Sequence, residues 1–194
     1  MHGVSRRLVG ALSAMAAAVG VLALPVASAG AATTSSCNIT WGSLPKSSNV
    51  ATVPSDFITN VRAGRHTCYD RMVVDIGEAG GFNSYDVRYV DSVRAEGSGN
   101  AVPLRGAGDL AVVVRAPAYD EYGSTLYAPH PCELVDVSGY STFRQIAFAG
   151  SYEGQTTFGL GVRARLPFRV FTLAGPSAGS GQDTRVVIDV AHAW

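Results

Sequence analysis

The stretch Arg65-His66-Thr67-Cys68-Tyr69-Asp70-Arg71-Met72-Val73-Val74-Asp75-Ile76 decides the fold. A polar, cysteine-bearing approach runs into a β-forming hexamer. In an extended chain Arg71, Val73 and Asp75 fall on one side and Met72, Val74 and Ile76 on the other, so one side is built for a core. A near copy closes the protein. Thr184-Arg185-Val186-Val187-Ile188-Asp189-Val190 repeats the order, with Arg185 in the place of Arg71 and Asp189 in that of Asp75. Two strands of one pattern near the two ends of a domain predict a sheet structure with internal symmetry. Met72, Val74, Ile76, Val186, Ile188 and Val190 are expected inside it.

Between and around these two strands the same period of two recurs at Ile58–Arg62, Tyr85–Val90, Leu110–Arg115, Gln145–Phe148, Thr156–Arg163 and Phe168–Leu173. Breaks rich in Gly, Pro, Ser and Asn separate them, such as Gly97-Ser98-Gly99-Asn100 and residues 175–182. No stretch beyond the N-terminal leader sustains a 3.6-residue period for three turns. About eight strands at this spacing predict an all-β, two-sheet β-sandwich with little helix, a barrel being the other closed solution. In Thr157–Arg163, Phe158, Leu160 and Val162 point inward, while Gly159 and Gly161 leave the outer side open to another backbone or to a flat ligand.

Residues 1–29 carry the marks of an export signal: Arg6 and Arg7, an uncharged run from Leu8 to Leu24, then Pro25 and the small triplet Ala27-Ser28-Ala29. An uncleaved membrane anchor is the alternative, because the apolar run is long for a leader. Ser5-Arg6-Arg7-Leu8-Val9 is an incomplete twin-arginine match, and the general secretory route is expected. Residues 30–56 then read as a Ser/Thr/Pro-containing linker whose one adhesive point is Trp41, expected to pack on the domain edge, and residues 57–194 as the folded domain. The chain has 15 basic and 15 acidic residues, and loss of the two leader arginines leaves the mature form slightly acidic. That balance excludes a nucleic-acid partner. Lys46 is the single lysine, a bias expected of a GC-rich bacterial genome.

The three cysteines, Cys37, Cys68 and Cys132, belong to an oxidising compartment once the leader is granted, and two of them should pair. Cys37–Cys68 is expected because it ties the N-terminal segment to the start of the central strand; Cys68–Cys132 is the competing pairing. No C-x-x-C spacing supports zinc or redox chemistry, and neither a cofactor nor a metal is expected.

Catalytic patterns fail on context. Gly175-Pro176-Ser177-Ala178-Gly179 matches G-x-S-x-G, but a nucleophile elbow needs a helix after the serine and here a strand follows. His130, Glu133 and His66 or His192 could make a three-ligand zinc site of the amidase kind, without any local motif to support it. Binding is better represented. The insertion Ala116–Leu134 sets Tyr119, Tyr122 and Tyr127 among Pro117, Pro129 and Pro131, and tyrosine faces suit sugar rings, unless they merely cover a sheet edge. Arg144, Arg163, Arg165 and Arg169 form a second group; Arg163 and Arg165 share a strand side, and guanidinium forks recognise carboxylates or phosphates.

Taken together, Gly64-Arg65-His66, Tyr69-Asp70-Arg71-Met72-Val73-Val74-Asp75, Tyr85-x-Val87-x-Tyr89-Val90, Phe148-Ala149-Gly150-Ser151-Tyr152-Glu153-Gly154, Gly159-Leu160-Gly161-Val162-Arg163, Pro167-Phe168-Arg169-Val170 and Arg185-Val186-Val187-Ile188-Asp189-Val190-Ala191-His192 resemble the AMIN-like domain of secreted actinobacterial proteins. The related AMIN domains are symmetric β-sandwiches that attach cell-wall amidases and secretin components to the envelope by binding peptidoglycan. The resemblance implies a secreted, non-catalytic module at the cell wall, with peptidoglycan or envelope proteins as partners and no membrane contact after leader cleavage. It transfers no functional residue. A structural or protein-interaction sandwich and, last, a metal-dependent wall hydrolase are the other readings.

Overall fold

Eleven strands build the described part of the protein. In this computed structural model the described residues are 37–49, 57–77, 84–120, 122–124, 130–174 and 184–194. They are β1 (Lys46–Asn49), β2 (Phe57–Arg65), β3 (Tyr69–Gly77), β4 (Ser84–Val90), β5 (Val93–Arg94), β6 (Ala101–Val102), β7 (Gly108–Val114), β8 (Phe143–Tyr152), β9 (Gln155–Val162), β10 (Phe168–Ala174) and β11 (Thr184–Ala191). The eight period-2 segments are β2, β3, β4 and β7–β11. No helix occurs among the described residues.

Two antiparallel sheets result, one of five strands in the order β1-β4-β7-β9-β8 and one of four in the order β10-β11-β3-β2. Their inner faces meet in one core. Met72, Val74, Ile76, Val186, Ile188 and Val190 are fully buried there, against Val87, Leu110, Ile146, Phe158 and Leu160 from the other sheet. The repeated hexamers are direct neighbours. They pair antiparallel so that Arg71 lies opposite Asp189, Val73 opposite Val187 and Asp75 opposite Arg185. The internal symmetry expected from the repeat is thus a local twofold that passes between the two central valines.

A charged residue interrupts the apolar inner side of β3, and it closes the end of the sandwich. Asp70 is completely buried on β3. Its Oδ2 accepts the backbone N–H groups of Thr142 (2.5 Å) and Phe143 (3.1 Å) at the start of β8, and its Oδ1 lies 3.1 Å from His192 Nε2 just after β11. Thr142 Oγ1 in turn donates to the carbonyl of Ala191 at 3.1 Å. A carboxylate that satisfies two amides of the opposite sheet ties the sheets together where hydrophobic contact thins out.

The segment expected as a linker needs correction. Ser35–Trp194 form one compact unit, so the folded part begins well before Phe57. Lys46–Asn49 pair antiparallel with β4 as an edge strand. Lys-Ser-Ser-Asn carries no apolar alternation, so the pairing rests on backbone hydrogen bonds and has no hydrophobic signal to read. Upstream, the expected disulfide links Cys37 to Cys68, with Cα atoms 5.5 Å apart, and Cys132 is free and exposed. Trp41 packs edge-on to Tyr69 at 5.6 Å, and Gly42 accepts the N–H of Phe168 at the start of β10.

The outward glycines of β9 accommodate the chain that crosses them, backbone at Gly161 and a side chain at Gly159. A Cβ on Gly161 would lie 2.1 Å from the carbonyl oxygen of Arg105, and one on Gly159 would lie 3.0 Å from the Leu104 side chain. The chain around Leu104–Gly106 therefore runs flat across this sheet. With the β5–β6 hairpin it makes a small outer core in which Val93, Ala111 and Ala149 are buried beside Val102 and Leu104. Gly161→Ala is expected to destabilise the protein by about 1–3 kcal/mol, the usual range for overpacking, because the obstacle is backbone. A urea midpoint equal to that of the parent would show that the crossing segment can move aside.

Candidate functional site

The insertion after β7 divides into an anchored part and a presenting part. Ser151 Oγ accepts the N–H of Ala118 (2.9 Å) and Thr156 Oγ1 donates to the carbonyl of Ala116 (2.7 Å), pinning the chain to the β8–β9 hairpin. Asp120 Oδ1 then accepts the N–H groups of Tyr122 (2.9 Å) and Ser124 (2.7 Å) and turns the chain outward. Further on, Pro131 and Leu134 bond the backbone of Phe148 and Ile146, so this stretch covers the edge of β8. The later part of the insertion thus has the edge-covering use expected of it.

A depression of about 590 Å³ opens beside the anchored half, lined by Ala118, Tyr119, Gly123, Phe148, Ser151, Tyr152 and Glu153. Tyr119 is half-buried, and its hydroxyl accepts the N–H of Gly154 at 3.0 Å. Tyr152 is 53% exposed and Tyr122 85% exposed. Glu153 and Gly154 both have positive φ, 49° and 77°, in the two-residue turn between β8 and β9. That turn type suits the twist of a hairpin and sets Tyr152 and Glu153 at the rim of the depression. Tyr127 lies outside the described residues, as do the leader and the G-x-S-x-G stretch of residues 175–179.

The arginine group separates. Arg163 is exposed, and its guanidinium donates to the carbonyl of His192. Arg165 lies over the ring of Tyr89 at 5.0 Å and bonds Ser43 through Nε and Nη2, both at 3.4 Å. Arg144 holds the carbonyls of Tyr140 (3.2 Å) and Phe143 (2.8 Å). These three guanidiniums satisfy chain carbonyls and hydroxyls. Arg169 belongs elsewhere.

It joins Arg71 on the outer face of the four-stranded sheet, and both bind one carboxylate. Arg71 forks Asp189 through Nε and Nη2 at 2.7 and 2.9 Å, and Arg169 Nε reaches the same group at 2.8 Å. Asp189 is fully buried beneath them, and the Asp189 hydrogen bond is the main cause that raises the Arg71 pKa above its ordinary value. Three rings enclose the pair. Arg169 sits 4.4 Å from the Trp41 ring centroid, 5.2 Å from Phe171 and 5.5 Å from Tyr69. Further along the face Arg62 forks Asp75 at 2.8 and 2.9 Å.

An AMIN-like domain profile matches residues 56–192. The chain belongs to the AMIN-like domain family. Comparison with curated proteins and with solved structures returns no match. Membership makes the AMIN-like domain a cell-wall-related module.

Within the AMIN-like domain three of the four residues considered for zinc are engaged separately, and His130 is exposed. His192 faces Asp70, Glu133 pairs with Arg105, and His66 stacks on Tyr69 at 4.4 Å. Among the described residues no group of three or more His, Cys, Asp or Glu is gathered for a metal. Sequence reasoning missed three contributors: Tyr152, read only as part of a family motif; Phe148, read only as a strand end and part of the same motif; and Trp41, read as an edge anchor. The turn Glu153-Gly154 was the available signal for the first, since a Gly-containing two-residue break between alternating strands marks a hairpin tip.

Proposed function

We propose that the AMIN-like domain is a secreted, non-catalytic cell-envelope module that binds a wall glycan, peptidoglycan being the leading candidate. The observation that carries this reading is the aromatic depression of Tyr119, Phe148 and Tyr152, with Tyr122 beside it and the Glu153 carboxylate at its rim. Ring faces accept the C–H face of a sugar, and phenol or carboxylate oxygens take its hydroxyls, an arrangement that binds without moving bonds. Export through residues 1–29 supports the same location, as does the Cys37–Cys68 disulfide, which persists in oxidising compartments.

Sedimentation of the purified protein with peptidoglycan stripped of attached polymers tests the reading. Tyr119→Ala, Tyr122→Ala, Tyr127→Ala and Tyr152→Ala are each expected to weaken binding by about 1–2 kcal/mol, roughly five- to thirtyfold, with little change in melting temperature. Stacking on uncharged rings should persist at moderate salt, because screening acts on charge pairs. A folded triple variant of Tyr119, Tyr122 and Tyr152 that sediments as well as the parent would leave the depression without a role.

A further inference from the structure

The outer face of the four-stranded sheet has more guanidinium than carboxylate, and the surplus is arranged by the local twofold. Arg71 and Asp75 of β3 lie opposite Asp189 and Arg185 of β11, and each flanking strand adds one arginine, Arg169 from β10 and Arg62 from β2. Four arginines thus face two aspartates. One positive charge is in excess at each end of the twofold pair. The two ends are four residues apart along β11, about 13 Å at the usual rise of a strand.

The ends are not equivalent in their bonding. At the Asp189 end both arginines are bonded, and Arg169 commits only Nε, its side chain remaining 40% exposed among Trp41, Tyr69 and Phe171. At the Asp75 end Arg62 takes both carboxylate oxygens. Arg185, the twofold counterpart of Arg71, is partly exposed, and its buried Nε has no acceptor among the described residues. A buried donor of this kind costs free energy unless an acceptor arrives, and a planar fork prefers a planar acceptor.

We propose that this face binds the carboxylate groups of a wall polymer, with Arg169 and Arg185 as the contacting guanidiniums. Carboxylate is the matched anion because Arg71 and Arg62 already grip Asp189 and Asp75 in two-point forks at 2.7–2.9 Å. Rings flanking Arg169 keep its plane fixed and offer apolar surface to the chain that bears the anion. The site lies on the other sheet from the tyrosine depression. It rests on the glycan reading only for the source of the carboxylate.

Titration calorimetry of the purified, disulfide-bonded protein with a carboxylate-only oligomer, oligogalacturonate, tests it, alongside polyphosphate of similar charge and peptidoglycan fragments with free or amidated carboxylates. Saturable binding of oligogalacturonate and of the free-acid fragments is expected. Arg169→Gln and Arg185→Gln should each reduce affinity about tenfold, and the salt dependence of binding should become shallower. Arg94→Gln, which removes one exposed charge on β5, should change affinity less than about twofold if specific forks matter more than net charge. Should a Gln variant melt early, Arg169→Lys keeps the charge but loses the fork, and a loss of affinity there is expected as well. A Tyr119→Ala/Tyr122→Ala variant should still bind oligogalacturonate, so failure of the glycan site and of this one are separable. Absence of saturable carboxylate binding, equal losses in Arg94→Gln, or a preference for polyphosphate would overturn the proposal.

Discussion

Asp70→Ala is expected to destabilise the protein by about 3–5 kcal/mol, a large share of the total stability of a domain of this size. The carboxylate is completely buried and holds the Thr142 and Phe143 amides together with His192. Alanine leaves two buried N–H groups without an acceptor, at about 1–3 kcal/mol each, and takes the partner from His192. Asp70→Asn keeps a carbonyl oxygen that can face both amides, so it should lose clearly less. The ordering Ala worse than Asn in urea denaturation is the signature of an acceptor between sheets. An Ala variant within about 1 kcal/mol of the parent would mean that the end of the sandwich closes by packing alone.

Removal of the Cys37–Cys68 bridge is the second large effect. The cysteines are 31 residues apart in sequence, and closing such a loop stabilises by about 3–4 kcal/mol on the chain-entropy account. The double variant Cys37→Ala/Cys68→Ala should lose that much, whereas Cys132→Ser, at an exposed free thiol, should lose almost nothing. The bridge also bears on the arginine face. It holds the chain next to Trp41, which covers Arg169 and touches Tyr69. Loss of the bridge is therefore expected to lower affinity for carboxylate ligands in variants that remain folded, read by calorimetry at a temperature well below their melting point. Unchanged stability in the double cysteine variant would place the N-terminal segment outside the cooperative unit.

The outward, polar positions of the two hexamers were legible, but what they do was not. Alternation alone assigned Arg71, Asp75, Arg185 and Asp189 to one side of their strands. It could not say that the two copies are neighbours, because pairing of β3 with β11 spans most of the domain and depends on which edges meet. The arginine group chosen from the sequence mixed Arg169 with Arg144, Arg163 and Arg165, since closeness along the chain was the only guide. In the fold those three bond other carbonyls and hydroxyls, of Tyr140, Phe143, His192 and Ser43, while the true companions of Arg169 are Arg71, two strands away, and Trp41, on the far N-terminal segment.

By itself the sequence determined the eight main strands, the inward face of each hexamer, that two of three cysteines should pair, and membership of the family, while the structure chose Cys37–Cys68 over Cys68–Cys132. All of these rest on local period, on a small set of cysteines or on ordered motifs, which survive without coordinates. Only the tertiary structure decided that Lys46–Asn49 form an edge strand, that Asp70 joins the sheets, that Gly159 and Gly161 admit the chain at Leu104–Arg105, and that Tyr119 meets Phe148 and Tyr152 beside a hairpin tip. Each of these depends on atoms from distant segments meeting in space. Their energies come from backbone amides and buried charge, whose partners leave no periodic trace along the chain.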